Sequence, residues 1–113
     1  MIQIAVLGYG TVGSGVVEVI HTNFESIKKR AGDAINIKYV LDIRKFPGSP
    51  VENILTDDFE EIINDPEVQI VVEVMGGIEP AYTFVKRCLF FLLRDKTIFC
   101  HDRKDVLPSR AIV

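Results

Sequence analysis

The sequence predicts an α/β fold with a doubly wound, mainly parallel sheet and helices on both of its faces. Short apolar runs alternate along the chain with stretches in which apolar residues recur every three or four positions. Glycines and prolines separate these segments. The first run, IQIAVL at 2–7, lacks strict alternation, which is typical of a strand covered on both faces. Strands that alternate with helices pair in parallel through right-handed crossovers, so one parallel sheet is expected.

Helical periodicity begins at Thr11, after the first strand. The apolar positions mark one face of this predicted helix, formed by Val12, Val16, Val19, Ile20, Phe24 and Ile27. Three cations at 28–30 oppose the helix dipole in the last turn, and Gly32 is a typical C-terminal stop. The pattern therefore predicts one long helix.

The middle of the chain gives shorter patterns. A strand is predicted at 35–42, and the loop RKFPGSP follows it. Asp57 with Glu60 resembles a capping box, which predicts a short helix that stops before Pro66. A third strand is predicted within VQIVVEVMGG, then a helix with Pro80 in its first turn and a last strand at 97–100.

Composition narrows the classes of function. The 113 residues fit one domain over 1–113, and the net charge of −3 comes from interspersed charges, without the basic stripe that nucleic acid requires. Cys88 and Cys100 do not lie at metal-ligand spacing from either histidine, so we expect buried cysteines and no metal site. The apolar runs are too short to span a bilayer and no charged leader precedes them, which favours a cytoplasmic protein.

The sequence GYGTVG at 8–13 has the GxGxxG spacing of a dinucleotide-binding turn between a strand and a helix, as in Rossmann-type folds. Gly8 permits the tight turn, Gly10 lets the backbone approach a pyrophosphate, and Gly13 allows the helix to pack closely on the strand. The N–H groups at the helix start face the anion. NAD or NADP is the expected ligand. The predicted contacts in this turn are Gly8, Tyr9, Gly10, Thr11, Val12 and Gly13.

Two acidic residues compete to bind the adenosine ribose. Asp33 has near-usual spacing from the glycine turn but precedes the second strand, at its wrong end. Asp42 lies at the carboxyl end of that strand, and we choose it. Its carboxylate accepts from both ribose hydroxyls and repels a 2′-phosphate, which favours NAD, whereas Arg44 could instead pair with that phosphate. The choice between NAD and NADP stays open.

The sequence VMGG at 74–77 ends the third strand at the same edge of the sheet. Met75, Gly76 and Gly77 are predicted to lie against the nicotinamide half of the cofactor. Glu73 precedes them inside an apolar strand, where a lone carboxylate is costly to bury. Its side chain either points out at the strand end or finds a donor nearby.

Three segments of the chain resemble, in order and spacing, the N-terminal nucleotide-binding domain of homoserine dehydrogenase. They are IAVLGYGTVGSGVVEVI, KYVLDIR and DPEVQIVVEVMGGIEPAYTFVKRCL, so the resemblance covers residues 1 to about 89. It implies reduction of aspartate semialdehyde to homoserine with NADH or NADPH. It also implies that the glycine turn, residues 42–44 and residues 75–77 line the cofactor.

The resemblance weakens after Leu89. The family continues with AGKxVVTANKxL where this chain reads LFFLLRDKTIFCHDRKDVL, so 90–113 is expected to be an atypical tail. Lys104 alone could stand in for the family's substrate-orienting lysine, which makes it the one candidate catalytic residue. Either an altered reading frame produces this tail, or the tail is natural and its apolar segment 88–93 forms a homo-oligomer interface.

Three functions are consistent with these features, and we choose the first of them. The first is the NAD(P)-binding domain of a homoserine dehydrogenase of threonine and methionine biosynthesis, inactive alone because the catalytic and dimerisation domain would begin beyond residue 113. The second is a stand-alone nucleotide-sensing module that regulates a partner. The third is the cofactor domain of another Rossmann-type dehydrogenase.

Overall fold

The residues that the structure describes form one sheet of five parallel strands. The computed structural model describes residues 1–75 and the strand at 97–100. The strands are β1 (Ile2–Leu7), β2 (Ile35–Leu41), β3 (Leu55–Thr56), β4 (Val68–Glu73) and β5 (Thr97–Cys100). They lie side by side in the order β3-β2-β1-β4-β5, and every neighbouring pair is parallel. The predicted fold class is therefore confirmed.

The apolar residues of β1 divide between two cores, one on each face of the sheet. Ile4 and Val6 join the core on the side of the first helix, where Val17 is buried. Ala5 and Leu7 join the core on the other side, with residues of the short helix before β4. Because successive side chains of a strand point to opposite faces, one apolar run supplies both cores. This explains why the run lacks polar alternation.

Two helices occupy the region where the sequence predicts one. Helix α1 spans Thr11–Thr22 and helix α2 spans Phe24–Ala31. Between them Asn23 has φ −104° and ψ 24°, and its amide Nδ2 donates to the carbonyl oxygen of Val19 at 3.1 Å. The backbone N–H of Asn23 donates to the same carbonyl oxygen at 2.9 Å, so α1 ends and α2 begins at this residue with its own ladder bond kept. The single long helix was therefore wrong, although Gly32 ends α2 in the left-handed conformation, as predicted.

The buried face of α1 is rotated from the predicted stripe. Gly13 and Val17 are the buried residues of this helix, whereas Val12 and Val19 are 42% and 55% exposed. The helix comes closest to the turn after β1 at Gly13, whose lack of a side chain lets the two backbones meet. This close contact turns Val17 inward, a position that the predicted apolar face did not include.

The short helix α3 (Phe59–Ile63) closes the opposite face of the sheet. Its N-cap is Asp58, whose Oδ1 accepts from the backbone N–H of Glu60 at 3.0 Å. The predicted cap at Asp57 was wrong by one residue. Before this helix, a 3-10 turn at Glu52–Ile54 leads into the two-residue strand β3. That strand is too short to show a periodic pattern and was not predicted.

Candidate functional site

The glycine turn begins where β1 ends at the carboxyl edge of the sheet. Gly8 has φ +107°, a conformation that side-chain-bearing residues rarely adopt. Its N–H donates to the carbonyl oxygen of Leu41 at 2.8 Å. A Cβ added to Gly8 would lie 3.1 Å from Cγ of Met75. Backbone conformation and a close neighbour therefore both favour glycine at this position.

Gly13 brings the start of α1 against this turn. A Cβ at Gly13 would lie 2.0 Å from the carbonyl oxygen of Gly8, well inside van der Waals contact. The sequence predicts close packing of helix on strand at this residue, and the structure has the two backbones in contact there. Any side chain at residue 13 would push the helix start away from the sheet.

Gly10 has the opposite surroundings. It is the N-cap of α1, in extended conformation, and the nearest atom to an added Cβ is Nη2 of Arg44 at 3.9 Å. The first turn of α1 carries no acidic side chain, and Thr11 and Val12 are exposed there. The positive end of the helix dipole therefore faces an open approach beside Gly10.

Asp42 lies beside this turn and accepts four hydrogen bonds. Its Oδ2 accepts from the backbone N–H of Tyr9 at 3.0 Å and from Nη2 of Arg44 at 3.0 Å. Its Oδ1 accepts from the backbone N–H and Nε of Arg44 at 2.9 and 3.1 Å. The side chain of Asp42 is 8% exposed and that of Arg44 is 60% exposed. Sequence reasoning treated these two residues as alternatives, but the structure pairs them.

The rejected candidate, Asp33, lies elsewhere. Its carboxylate is 2.9 Å from the amino terminus and it also accepts from the N–H of Ala34, before β2 begins. In a parallel sheet all strands run in one direction, so they begin at the amino edge and finish at the opposite, carboxyl edge. Asp33 is therefore at the amino edge, away from the glycine turn.

The ion pair with Arg44 lowers the pKa of Asp42. The Arg44 guanidinium, followed by the N–H groups of Arg44 and Tyr9, lowers the pKa of this carboxyl from 3.8 to about 2, against an opposing effect of burial. The charged form is thereby favoured in the folded chain.

This pKa shift predicts a pH-dependent contribution to stability. Because the pKa of Asp42 is lower folded than unfolded, the contribution is present above about pH 4 and is lost as the pH falls towards about 2. We expect wild type to lose about 1 kcal/mol more unfolding free energy than Asp42→Asn over that interval, since the exposed Arg44 is screened by solvent. Urea unfolding at several pH values measures this difference, and parallel profiles for the two proteins would contradict it.

A cleft of about 260 Å³ opens between the turn and the ends of β2 and β4. Six predicted site residues line it: Gly8, Tyr9, Gly10, Asp42, Arg44 and Met75. Thr11, Val12 and Gly13 continue from it into α1. Gly76, Gly77, Lys104 and the segment 88–93 lie outside the described residues. Ile43, which is 88% exposed, also lines the cleft and belongs to the segment 42–44 that the resemblance implied. Asp57 lines it as well, and the sequence reasoning did not place that residue there.

Two aromatic rings meet beside the cleft, one from the glycine turn and one from the loop after β2. The rings of Tyr9 and Phe46 meet edge to face with centroids 4.9 Å apart. The Arg44 guanidinium carbon lies 5.2 Å from the centroid of the Phe46 ring. Stacking on an aromatic face restricts an otherwise flexible guanidinium. Phe46 therefore helps to keep Arg44 at the mouth of the cleft.

Glu73 ends β4 beneath the cleft and is fully buried. Its Oε1 accepts from the backbone N–H of Met75 at 2.8 Å. The sequence left open whether the Glu73 side chain points out at the strand end or finds a donor nearby. The structure has the second arrangement, with the N–H of Met75 as the donor. The hydrogen bond fixes the turn that carries Met75 into the cleft.

Curated relatives align with nearly the whole chain. The homoserine dehydrogenase of Helicobacter pylori is 38% identical over 111 residues, which cover 93% of this chain and 26% of that protein. The homoserine dehydrogenase of Synechocystis is 39% identical over 116 residues, which cover 99% of this chain and 24% of that protein. The chain thus spans about a quarter of these relatives, and the alignments continue past residue 89, where the motif resemblance weakens.

Solved structures give the same result. The crystal structure of S. aureus homoserine dehydrogenase at pH 6.5 matches with a TM-score of 0.77 and 40% identity, covering 94% of this chain and 26% of that one. No protein-family model matches the chain. Among the described residues no helix is long and apolar enough to cross a membrane. Within the same residues no group of histidine, cysteine and acidic side chains could hold a metal ion.

Proposed function

We propose, from the premise that this chain belongs to the homoserine dehydrogenase family, that it binds NAD in the cleft between its glycine turn and Asp42. The observation that carries this proposal is the convergence of Gly8, Gly10 and Asp42 on one cleft at the carboxyl edge of a parallel sheet. Dinucleotides bind beyond the carboxyl ends of such strands. The residues present fit the ligand, because the approach beside Gly10 is open.

The pyrophosphate is assigned to the start of α1. The N–H groups of the first helical turn have no partner within a helix, and the helix dipole adds a favourable field for an anion. Gly10 leaves this end accessible to a phosphate, and the hydroxyl of Thr11 lies in the first turn. Binding therefore relies on backbone donors and does not need a lysine or arginine at the turn.

The adenosine ribose is assigned to Asp42. All four bonds that Asp42 accepts come from Arg44 and Tyr9, so two ribose hydroxyls can enter only if the Arg44 side chain leaves. The N–H groups of Tyr9 and Arg44 hold the carboxylate in place during this exchange. A 2′-phosphate at the same position would meet the carboxylate directly, which is why we propose NAD over NADP.

The nicotinamide half is assigned to the turn at Met75, next to the buried strand end. When bound in its reduced form, the cofactor would supply the hydride that converts aspartate semialdehyde to homoserine, which we propose as the reaction this domain serves. Met75 and the end of β4 would exclude water on one side of the cleft. Because the chain spans about a quarter of its relatives, substrate binding and proton transfer are proposed to belong to the remaining three quarters.

Calorimetric titration of the purified chain with NAD and with NADP tests the proposal. We expect NAD to bind more tightly than NADP, and Asp42→Ala to raise the NADP-to-NAD affinity ratio by about tenfold or more. Removing the carboxylate deletes the ribose contacts and releases Arg44 towards a 2′-phosphate, and a tenfold ratio corresponds to about 1.4 kcal/mol.

Asp33→Ala is the matched control, because it deletes a carboxylate at the opposite edge of the sheet. We expect the Asp33 variant to retain the wild-type ratio. An equal change of ratio in both variants would show that net charge, and not ribose contact, decides the preference. Failure of both nucleotides to bind wild type would refute the proposed function itself.

A further inference from the structure

Asp57 enters the cleft because its neighbour caps the helix. Asp58 accepts from the N–H of Glu60 at 3.0 Å, and its own N–H donates to Oγ1 of Thr56 at 3.1 Å. These bonds place the start of α3 and leave the preceding residue, Asp57, exposed and lining the cleft. The capping role that the sequence suggests for Asp57 is thus filled by Asp58.

Backbone pairing ties Asp57 to the adenosine end of the cleft. β3 pairs with β2 in parallel, with Leu41 opposite Thr56. The N–H of Asp42 donates to the carbonyl oxygen of Thr56 at 3.0 Å, immediately before Asp57. The two acidic residues therefore follow neighbouring strands at one edge of the sheet. Asp57 therefore lines the cleft from the side of β3 and Asp42 from the side of β2.

The charges lining the cleft are unequal. Asp42 and Asp57 contribute two carboxylates, and Arg44 is the one cation among the cleft residues that the structure describes. The guanidinium of Arg44 donates to both oxygens of Asp42. That pairing offsets the charge of Asp42 and leaves the carboxylate of Asp57 as the excess charge. A phosphate dianion placed here would meet net negative charge even with Arg44 nearby.

We infer that Asp57 is a second specificity-determining residue, which disfavours cofactors bearing a 2′-phosphate. The inference rests on the proposed function and adds to it, since that proposal assigns the preference for NAD over NADP to Asp42 alone. Asp57 acts by charge at the rim of the cleft and need not contact the ribose. Its effect should therefore decrease with salt, because the screening length shortens from about 10 Å at 0.1 M to about 3 Å at 1 M.

Titration of NAD and NADP into wild type and Asp57→Asn, at low and high salt, tests this role. At low salt we expect the substitution to raise NADP affinity by about threefold to tenfold and to change NAD affinity by less than about twofold. At about 1 M salt the gain for NADP should largely disappear. Glu18→Gln is the control, because it removes one exposed carboxylate from α1 and should leave the ratio unchanged.

The outcomes separate this inference from the proposal on which it rests. Equal weakening of both nucleotides by Asp57→Asn would indicate contact with a part they share, such as adenine, and would overturn the specificity role. The specificity role would also be overturned if wild type binds NAD and Asp57→Asn changes the affinity for neither NAD nor NADP. If wild type binds neither nucleotide, the proposed function fails and this inference falls with it. Thermal unfolding of each variant verifies that the fold is intact.

Discussion

Replacing Gly13 by alanine should lower the unfolding free energy of the chain by about 2 kcal/mol. The added methyl would lie 2.0 Å from the carbonyl oxygen of Gly8, so α1 and the turn must move apart. Overpacking against backbone lowers the unfolding free energy by about 3 kcal/mol, the upper end of the usual range. Alanine favours the helix over glycine by about 1 kcal/mol, which leaves the net loss of about 2 kcal/mol. Urea unfolding monitored by circular dichroism measures the loss.

Gly15→Ala provides the matched control for this substitution. Gly15 lies in the same helix, two residues further on, and nothing lies within 4 Å of its added Cβ. This variant should gain about 0.5 to 1 kcal/mol, because alanine replaces glycine in a helix without a steric conflict. Opposite signs for the two substitutions are expected. If Gly13→Ala were as stable as Gly15→Ala, the close packing at the turn would be refuted.

Replacing Gly10 by valine should weaken dinucleotide binding by about 100-fold or more while the chain stays folded. The added side chain would enter the open approach where the pyrophosphate is proposed to lie against the backbone, and a 100-fold loss corresponds to about 2.7 kcal/mol. The nearest atom to the added Cβ is 3.9 Å away, so we expect a stability change of about 1 kcal/mol or less.

Titration calorimetry with NAD, together with thermal unfolding, distinguishes a blocked site from a damaged fold. Gly15→Val introduces the same side chain into α1 where it faces open space, so it should leave NAD affinity within about twofold of wild type. Retained binding in Gly10→Val would contradict the assignment of the pyrophosphate to this turn. Loss of binding in both valine variants would instead point to a general effect on the helix.

Features set by local pattern could be predicted from the sequence. The bounds of β1, the strand at 97–100 and the end of α2 at Gly32 agree with prediction, because apolar runs and glycine chemistry act over a few residues. The parallel order follows from the alternation of strands and helices. The relatives and the solved structure confirm the family resemblance as well. It could be predicted because the motif GxGTVGSGV combined with VVEVMGG is more specific than either motif alone.

Features set by contacts between distant segments could not be predicted. The pairing of Asp42 with Arg44 and Tyr9 depends on how the turn after β2 folds back on the turn after β1. Asp57 lines the cleft because β3, only two residues long, pairs with β2. Tertiary context overrides the local pattern in each case.

The contact between Met75 and Gly8 joins the two turns of the cleft. Glu73, buried at the end of β4, holds the N–H of Met75, and the side chain and backbone of Met75 lie against Gly8. The floor of the cleft is therefore ordered before any ligand arrives. A ligand entering it has little backbone to immobilise, so the entropic penalty of association is reduced. Preorganisation of this kind lets a small domain retain affinity with few direct contacts.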